Sequence, residues 1–261
     1  MIGIKDEAAL AAMRAAGAVV ADALAAVREH AAPGVALRTL DEVAREVLDK
    51  AGAGSPFLGY RPDWAPVPFP AVVCLSVNDT VVHGVPGETR LRDGDLLSAD
   101  CGAVLDGWVG DSAISFTVGR SAAPADTRLI ATAYEALAAG IAAAVPGNRV
   151  GDIAHAVGSV CRDAGYGILQ GVGGHGVGRS MHEDPAVPNE GRPGRGVRLR
   201  PGMVLAIEPI LLGGGQDDCG TGPDGWTVRT LDGSRAAHVE HTVAVTDDGP
   251  RILTAPRETA G

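Results

Sequence analysis

Apolar residues recur at helical spacing from Glu7 to His30, with Leu10, Met13, Ala16, Val20, Leu24 and Val27 on one face. This predicts a long Ala-rich helix that ends before Pro33-Gly34, with Gly17 inside it lowering the local propensity without breaking the period. A second helix is predicted next, capped by Thr39 with Glu42 three residues on, and stopped by Gly52. A loop from Ala53 to Pro70 carries five prolines (Pro56, Pro62, Pro66, Pro68 and Pro70) and reads as a surface insertion. Strand-like runs follow at Val72–Val77, Leu96–Ala99, Gly102–Trp108 and Ala113–Val118.

The second half repeats this plan. A helix from about Ala125 to Ala144 ends at Pro146-Gly147, and an offset of 113 residues superposes Pro146 on Pro33. The same offset carries Leu37, Leu40, Val47, Ala51 and Gly52 onto Val150, Ile153, Val160, Ala164 and Gly165. Further on, Leu91-Arg92-Asp93-Gly94-Asp95-Leu96 through Asp100 is echoed by Leu199-Arg200-Pro201-Gly202-Met203-Val204 through Glu208, at an offset of 108. Each copy is a glycine turn, a short apolar strand and a carboxylate at its end. The expected architecture is therefore α+β: two helix-helix-sheet halves, about 5–120 and 125–253, related by a pseudo-twofold within one domain spanning residues 1–261.

Composition narrows the function. The hydrophobic set makes up 46% of 261 residues but aromatics only 3%, so the core is aliphatic and large rings are scarce. Thirty-two acids against 22 bases give a net charge of −10, which argues against a nucleic-acid backbone as direct partner. The four cysteines, Cys74, Cys101, Cys161 and Cys219, form no metal or disulfide spacing and read as reduced thiols. The N-terminus is charged almost at once, and the apolar stretch Ala15–Val27 is interrupted by Asp22 and too short to span a bilayer. A cytoplasmic chain with no membrane partner is expected.

The repeat also pairs carboxylates. Asp100 corresponds to Glu208, and Asp111 in Val109-Gly110-Asp111-Ser112 corresponds to Glu240 in Val239-Glu240-His241-Thr242; the latter two each open a predicted strand. Four carboxylates brought together by a pseudo-twofold repel one another unless cations neutralise them. Two divalent ions sharing such carboxylates relieve the repulsion and acidify a water held between them. His175, in Gly173-Gly174-His175-Gly176, is an imidazole flanked by glycines, which permit close approach of backbone or ligand. His83 and His182 each head a His-x-x-Pro segment, one per half, and suit proton transfer and oxyanion stabilisation. His30 and His155 fall on helices, and strand alternation turns His241 away from Glu240's face, whereas His238 shares that face and is a candidate neighbour of the site. No Lys-Ser/Thr follows the Gly171–Gly178 stretch, and no Gly-x-Ser-x-Gly elbow occurs, which removes phosphate-loop and serine-hydrolase readings.

At these residues the sequence resembles the type I methionine aminopeptidases, of the pita-bread (creatinase/aminopeptidase-like) fold, from Ile4-Lys5 to about Leu253. The likeness rests on Cys74-Leu75-Ser76-Val77-Asn78, the His83 segment, Asp100 with Asp111, Gly174-His175-Gly176, the His182 segment, Ile207-Glu208-Pro209, Asp224-Gly225-Trp226-Thr227 and Glu240-His241-Thr242. The resemblance implies duplicated halves around a curved antiparallel sheet and a site for two divalent ions (Co, Mn, Fe or Zn). Asp111 and Glu240 would bridge them, Asp100 would complete one, and His175 with Glu208 the other. Glu208 would also shuttle the proton of the attacking water, while His83 and His182 bind and polarise the scissile peptide. The substrate-binding set by resemblance is Tyr60, Phe69, Cys74, His83, Met181, His182 and Trp226. The implied reaction is removal of the N-terminal methionine from nascent polypeptides and peptides with a small second residue, by a monomer, with the ribosome as setting left open.

Two departures concern the pocket. About six extra residues separate Gly59-Tyr60 from Phe69-Pro70, and Met181 stands where the resembled family usually has Phe. Two other readings stay open at this level: a proline-specific peptidase of the same fold using the same five ligands, and a non-catalytic homologue acting as a binding module.

Overall fold

In the computed structural model, residues 2–257 are described. Helix α1 (Glu7–His30) starts at an Asp6 cap whose carboxylate accepts from Ala9 N, and α2 (Leu37–Lys50) follows. The expected Thr39 cap is not used: Ala36 occupies the N-cap position without a side-chain bond, so Thr39 lies inside the first turn. Gly52, at φ +66, does end the helix. Strands β1 (Val73–Val77), β2 (Thr80–Val82), β3 (Leu96–Leu105) and β4 (Trp108–Thr117) complete the first half. Helices α3 (Pro124–Ala143) and α4 (Val150–Asp163) open the second. Short strands follow: β5 (Gly167–Ile168), β6 (Gly174–Gly176), β7 (Glu183–Val187), β8 (Val204–Ile207) and β9 (Ile210–Leu212). The last are β10 (Cys219–Thr221), β11 (Val228–Thr230), β12 (Ala236–His238), β13 (Glu240–Thr246) and β14 (Gly249–Ile252).

The main sheet is antiparallel, in the order β1-β3-β4-β13-β8-β6-β7, with β14 also paired to β13. This order reads symmetrically outward from the β4–β13 pair, so the pseudo-twofold passes between those two strands. Backbone bonds repeat at the two sequence offsets. Gly34 N donates to Leu91 O and Leu91 N to Val35 O; in the second half Gly147 N donates to Leu199 O and Leu199 N to Asn148 O. The isolated bridges Ala36–Arg90 and Arg149–Arg198 coincide in the same way. Each helix pair covers its own half: one core cluster joins Val20, Leu24, Leu40 and Leu48 to Leu97 and Ala99, another joins Leu137, Ile153 and Val157 to Leu205 and Val243.

Three expectations change. The runs Leu96–Ala99 and Gly102–Trp108 are mostly one strand, and β3 and β4, ten residues each, form a hairpin through Asp106-Gly107. Asp100 and Asp111 therefore sit within strands, whereas Glu208 follows β8 and Glu240 opens β13 as expected. Helix α1 as a whole is long and apolar enough to cross a membrane by length and composition alone, which the expectation drawn from Ala15–Val27 by itself did not take in. It packs instead on β3, β4 and α2, with 61% of its most apolar window buried. The proline-rich loop is also more than a surface insertion, because Phe57, Ala65 and Phe69 within it are buried.

Candidate metal centre

Register explains why the carboxylates converge. Across the sheet Cys74 pairs with Asp100, Asp100 with Ala113, and Ala113 with Glu240, so all four share one row and one face. Asp111 lies two residues before Ala113 and so on the same face. Extending the β13–β8 register by one residue brings Glu208 opposite Glu240. The small Ala113 between the two carboxylates leaves room above the sheet. Cross-links hold the central pair: Thr242 Oγ1 accepts from Asp111 N at 3.0 Å and donates to Asp111 O at 2.7 Å, while Ser112 Oγ donates to Glu240 O at 2.6 Å.

His175 comes from the other side, on β6. Its glycine neighbours are required by packing: a Cβ at Gly174 would fall 2.2 Å from Ala206 O, and one at Gly176 2.2 Å from Asp184 O. His175 Nδ1 lies 3.0 Å from Gly176 O, an acceptor, so the ring donates there and leaves Nε2 bare. One donor atom each from Asp111, His175 and Glu240 lie within 4.8 Å of one another. Asp100 and Glu208 stand outside this tightest triple but line the same cavity, and His175 Nε2 is 3.7 Å from Glu208 Oε1.

Three buried oxygens, Asp100 Oδ1, Asp111 Oδ1 and Glu240 Oε1, have no hydrogen-bond partner. Such orphans are costly in a folded chain unless something outside the protein satisfies them. Burial, with Asp100 and Glu208 as further negative neighbours, pushes Asp111 well above the usual carboxylate range. Glu240 is driven the same way by burial and then by Asp111, Glu208 and Asp100. Asp100 is pushed up to about 7, chiefly by burial. Glu208 behaves differently. Burial acts upward on it, but the adjoining imidazoles of His238, His175 and His83 together hold it below its ordinary value. Hard carboxylate oxygens, unsatisfied and mutually repelling, beside one bare imidazole nitrogen are a donor set that fits divalent first-row cations.

The cavity beside this cluster encloses about 400 Å³. It brings together every residue expected there from the sequence: Tyr60, Phe69, Cys74, His83, Asp100, Asp111, His175, Met181, His182, Glu208, Trp226 and Glu240. His83 sits at φ +56, an uncommon backbone state for a side chain of this size, with its Nδ1 buried and unpartnered. Burial lowers both His83 and His182 to about 4, so both are neutral near pH 7. His241 turns away, as alternation requires, with Nδ1 2.9 Å from Thr254 Oγ1.

Phe57, Trp64 and Val172 also line the cavity and were not identified from the sequence. Trp64 belongs to the inserted loop and is 60% exposed, stacked at 6.3 Å over His83 and edge-on to Trp226 at 5.0 Å. Trp226 Nε1 donates to Val67 O in the same loop. A usable signal was composition: of nine aromatic residues in the chain, Phe57, Tyr60, Trp64, Phe69 and Trp226 gather here. His238, marked only as a neighbour, lies with Nε2 3.5 Å from Glu208 Oε2.

Comparison with known proteins agrees with this geometry. Residues 11–247 match the model of metallopeptidase family M24. Methionine aminopeptidase 1 of Mycobacterium tuberculosis is 55% identical over 252 residues, covering 94% of this chain and 92% of that protein. The crystal structure of the Thermotoga maritima methionine aminopeptidase superposes with a TM-score of 0.92 at 39% identity, covering 97% of this chain and 99% of that one. The prolidase of Pyrococcus horikoshii shares the fold alone, at 22% identity and a TM-score of 0.76. The pita-bread architecture implied by the resemblance is thus the fold observed, and the chain belongs to metallopeptidase family M24, among its methionine aminopeptidases.

Proposed function

We propose that this chain removes the N-terminal methionine from nascent polypeptides and peptides with a small second residue, using two divalent ions held by Asp100, Asp111, His175, Glu208 and Glu240. The observation that carries this reading is the set of three orphaned carboxylate oxygens, in a cavity where His175 Nε2 is bare and five Phe, Tyr and Trp rings line the wall. Asp111 and Glu240, which come from the central strand pair, would be shared between the ions, with Asp100 and with His175 and Glu208 as the further donors that would hold them. When bound, the ions supply Lewis acidity, a water acidified towards neutral pH and an anchor for the substrate's free amine.

The remaining chemistry belongs to side chains. Glu208, held ionised by the imidazoles around it, accepts the proton of the attacking water and returns it to the leaving amine. Neutral His182 donates to the carbonyl oxygen as it gains charge, and His83 holds the peptide from the loop side. Phe69, Cys74, Met181, Tyr60 and Trp226 surround the methionine side chain, whose thioether packs favourably on aromatic edges. Trp64, stacked at 6.3 Å over His83, adds bulk to the cavity lining, which supports a preference for a small second residue. The protein acts as a cytoplasmic monomer of one catalytic domain.

Purified protein stripped of metal and reconstituted separately with Mn, Fe, Co or Zn should release methionine from Met-Ala-Ser but not from its Met-Leu analogue. Equal turnover by stripped and reconstituted protein, or faster cleavage of Xaa-Pro peptides, would overturn the reading.

A further inference from the structure

Tyr60 reaches the site from the proline-rich loop, and its hydroxyl lies 2.9 Å from His182 Nδ1. We propose that Tyr60 is a positioning residue: its O–H donates to His182 Nδ1 and fixes the tautomer that carries its proton on Nε2. The proposal deepens the aminopeptidase reading above and rests on it.

A neutral imidazole has one donor and one acceptor nitrogen, and the bond made by one decides what the other can do. Among the described residues the phenolic oxygen has no other hydrogen-bond partner, and His182 Nδ1 has none besides it. If Nδ1 carried the proton instead, Nε2 would turn a lone pair towards the carbonyl oxygen it has to stabilise, lone pair against lone pair. With the phenol donating, Nε2–H becomes the donor that a developing oxyanion requires.

The hydroxyl is placed rigidly enough for this. Tyr60 N donates to Phe57 O at 2.9 Å, Tyr60 O accepts from Phe69 N at 2.8 Å, and Gly59 N donates to Phe69 O at 2.8 Å, which closes the loop base. The His182 ring is in turn confined edge-on to His175, with centroids 4.3 Å apart. The same loop sets Trp64 over His83, so both histidines that head a His-x-x-Pro segment are held by it.

The test is Tyr60→Phe, which keeps the ring packed against Trp226 and His182 and removes only the hydroxyl. We expect kcat on Met-Ala-Ser to fall roughly ten- to a hundredfold, with KM within about twofold and metal content unchanged. In a His182→Ala background the same change should cost nothing further, because the residue acts through His182. Nitrogen-15 NMR of zinc-loaded wild type should show His182 protonated on Nε2, and Tyr60→Phe a mixture of tautomers. A rise in KM with kcat intact would make Tyr60 a pocket wall only and overturn the proposal. So would additive losses in the double variant, or an Nδ1–H tautomer in wild type. Should wild type release no methionine, the aminopeptidase reading fails on its own, and the nitrogen spectrum still decides the tautomer.

Discussion

Gly110 of β4 rests directly on the backbone of Gly17 in α1: a Cβ at Gly110 would lie 2.7 Å from Gly17 N, and one at Gly17 only 2.2 Å from Leu253 O. Two effects compete when Gly17 becomes Ala. Helix propensity improves by about 1 kcal/mol, whereas forcing a methyl onto backbone atoms that cannot rotate away costs about 1–3 kcal/mol. Backbone-to-backbone contact puts the cost at the upper end, so Gly17→Ala should destabilise by about 1–2 kcal/mol. A urea midpoint equal to or above wild type would refute this. Gly110→Ala should add a loss of metal affinity, since it displaces the neighbouring Asp111.

The apolar periodicity and the repeat made the helices, the two halves and the convergence of Asp100, Asp111, Glu208 and Glu240 legible without coordinates. Long-range packing was not legible. Gly17 reads locally as a small defect, and only the approach of β4 and Leu253 makes it a requirement. Asp100 and Asp111 interrupt an apolar run, so the continuous β3 and β4 read as fragments, one ending before Asp100 and one beginning after Asp111. Thr39 carries a capping pattern that the helix begins too early to use. Trp64 sits among prolines with no periodicity, and its place over His83 depends on how the loop folds back onto Trp226.

Metal removal should give the protein an unusual pH profile. In the metal-free state Asp100, Asp111 and Glu240 have raised pKa values, so the folded chain binds more protons than the unfolded one above the ordinary carboxylate range. Their contribution to stability is lost as pH rises through the raised values. His83, His182 and His241, lowered to about 4, act oppositely: the unfolded chain binds more protons, and stability grows with pH until about 6.5. The two trends offset each other below about 6.5. Above it the carboxylate trend continues, joined by His238, which burial pushes down but Glu208 and Asp100 hold above its ordinary value, so that its contribution is also lost as pH rises. Thermal unfolding of stripped protein should therefore show Tm flat from about pH 5 to 6.5 and falling towards pH 8.5, and added Mn should abolish the fall. A stripped protein whose Tm keeps rising to pH 8.5 would contradict the electrostatic account.

Glu208→Gln separates proton transfer from metal retention. The change keeps the side chain's shape beside His175 and His238 but removes the proton-accepting charge. It leaves the Asp111–His175–Glu240 triple intact. Turnover should drop by about 10²–10⁴, while at least one ion remains bound by calorimetry. Turnover within a few-fold of wild type would remove Glu208 from the proton path.

Met181 is 8% exposed and packs in the cluster of Phe69, Cys74 and Trp226 proposed above to surround the methionine side chain. An unbranched thioether with three rotatable bonds adapts to what it touches, so this wall can re-form around side chains other than methionine. A phenyl ring at the same place offers two torsions and a fixed shape. Met181→Phe should therefore lower kcat/KM for norleucyl-Ala-Ser more than for Met-Ala-Ser, because only the thioether keeps a favourable contact with the added ring edge. Such a difference is worth about 1 kcal/mol, or roughly fivefold in the ratio of the two specificity constants. Since Met181 is not among the residues proposed to hold the metal, metal affinity should be unchanged. If the ratio stays constant or moves towards norleucine, selectivity is set elsewhere in the pocket, and Trp226 with Phe69 becomes the wall to vary.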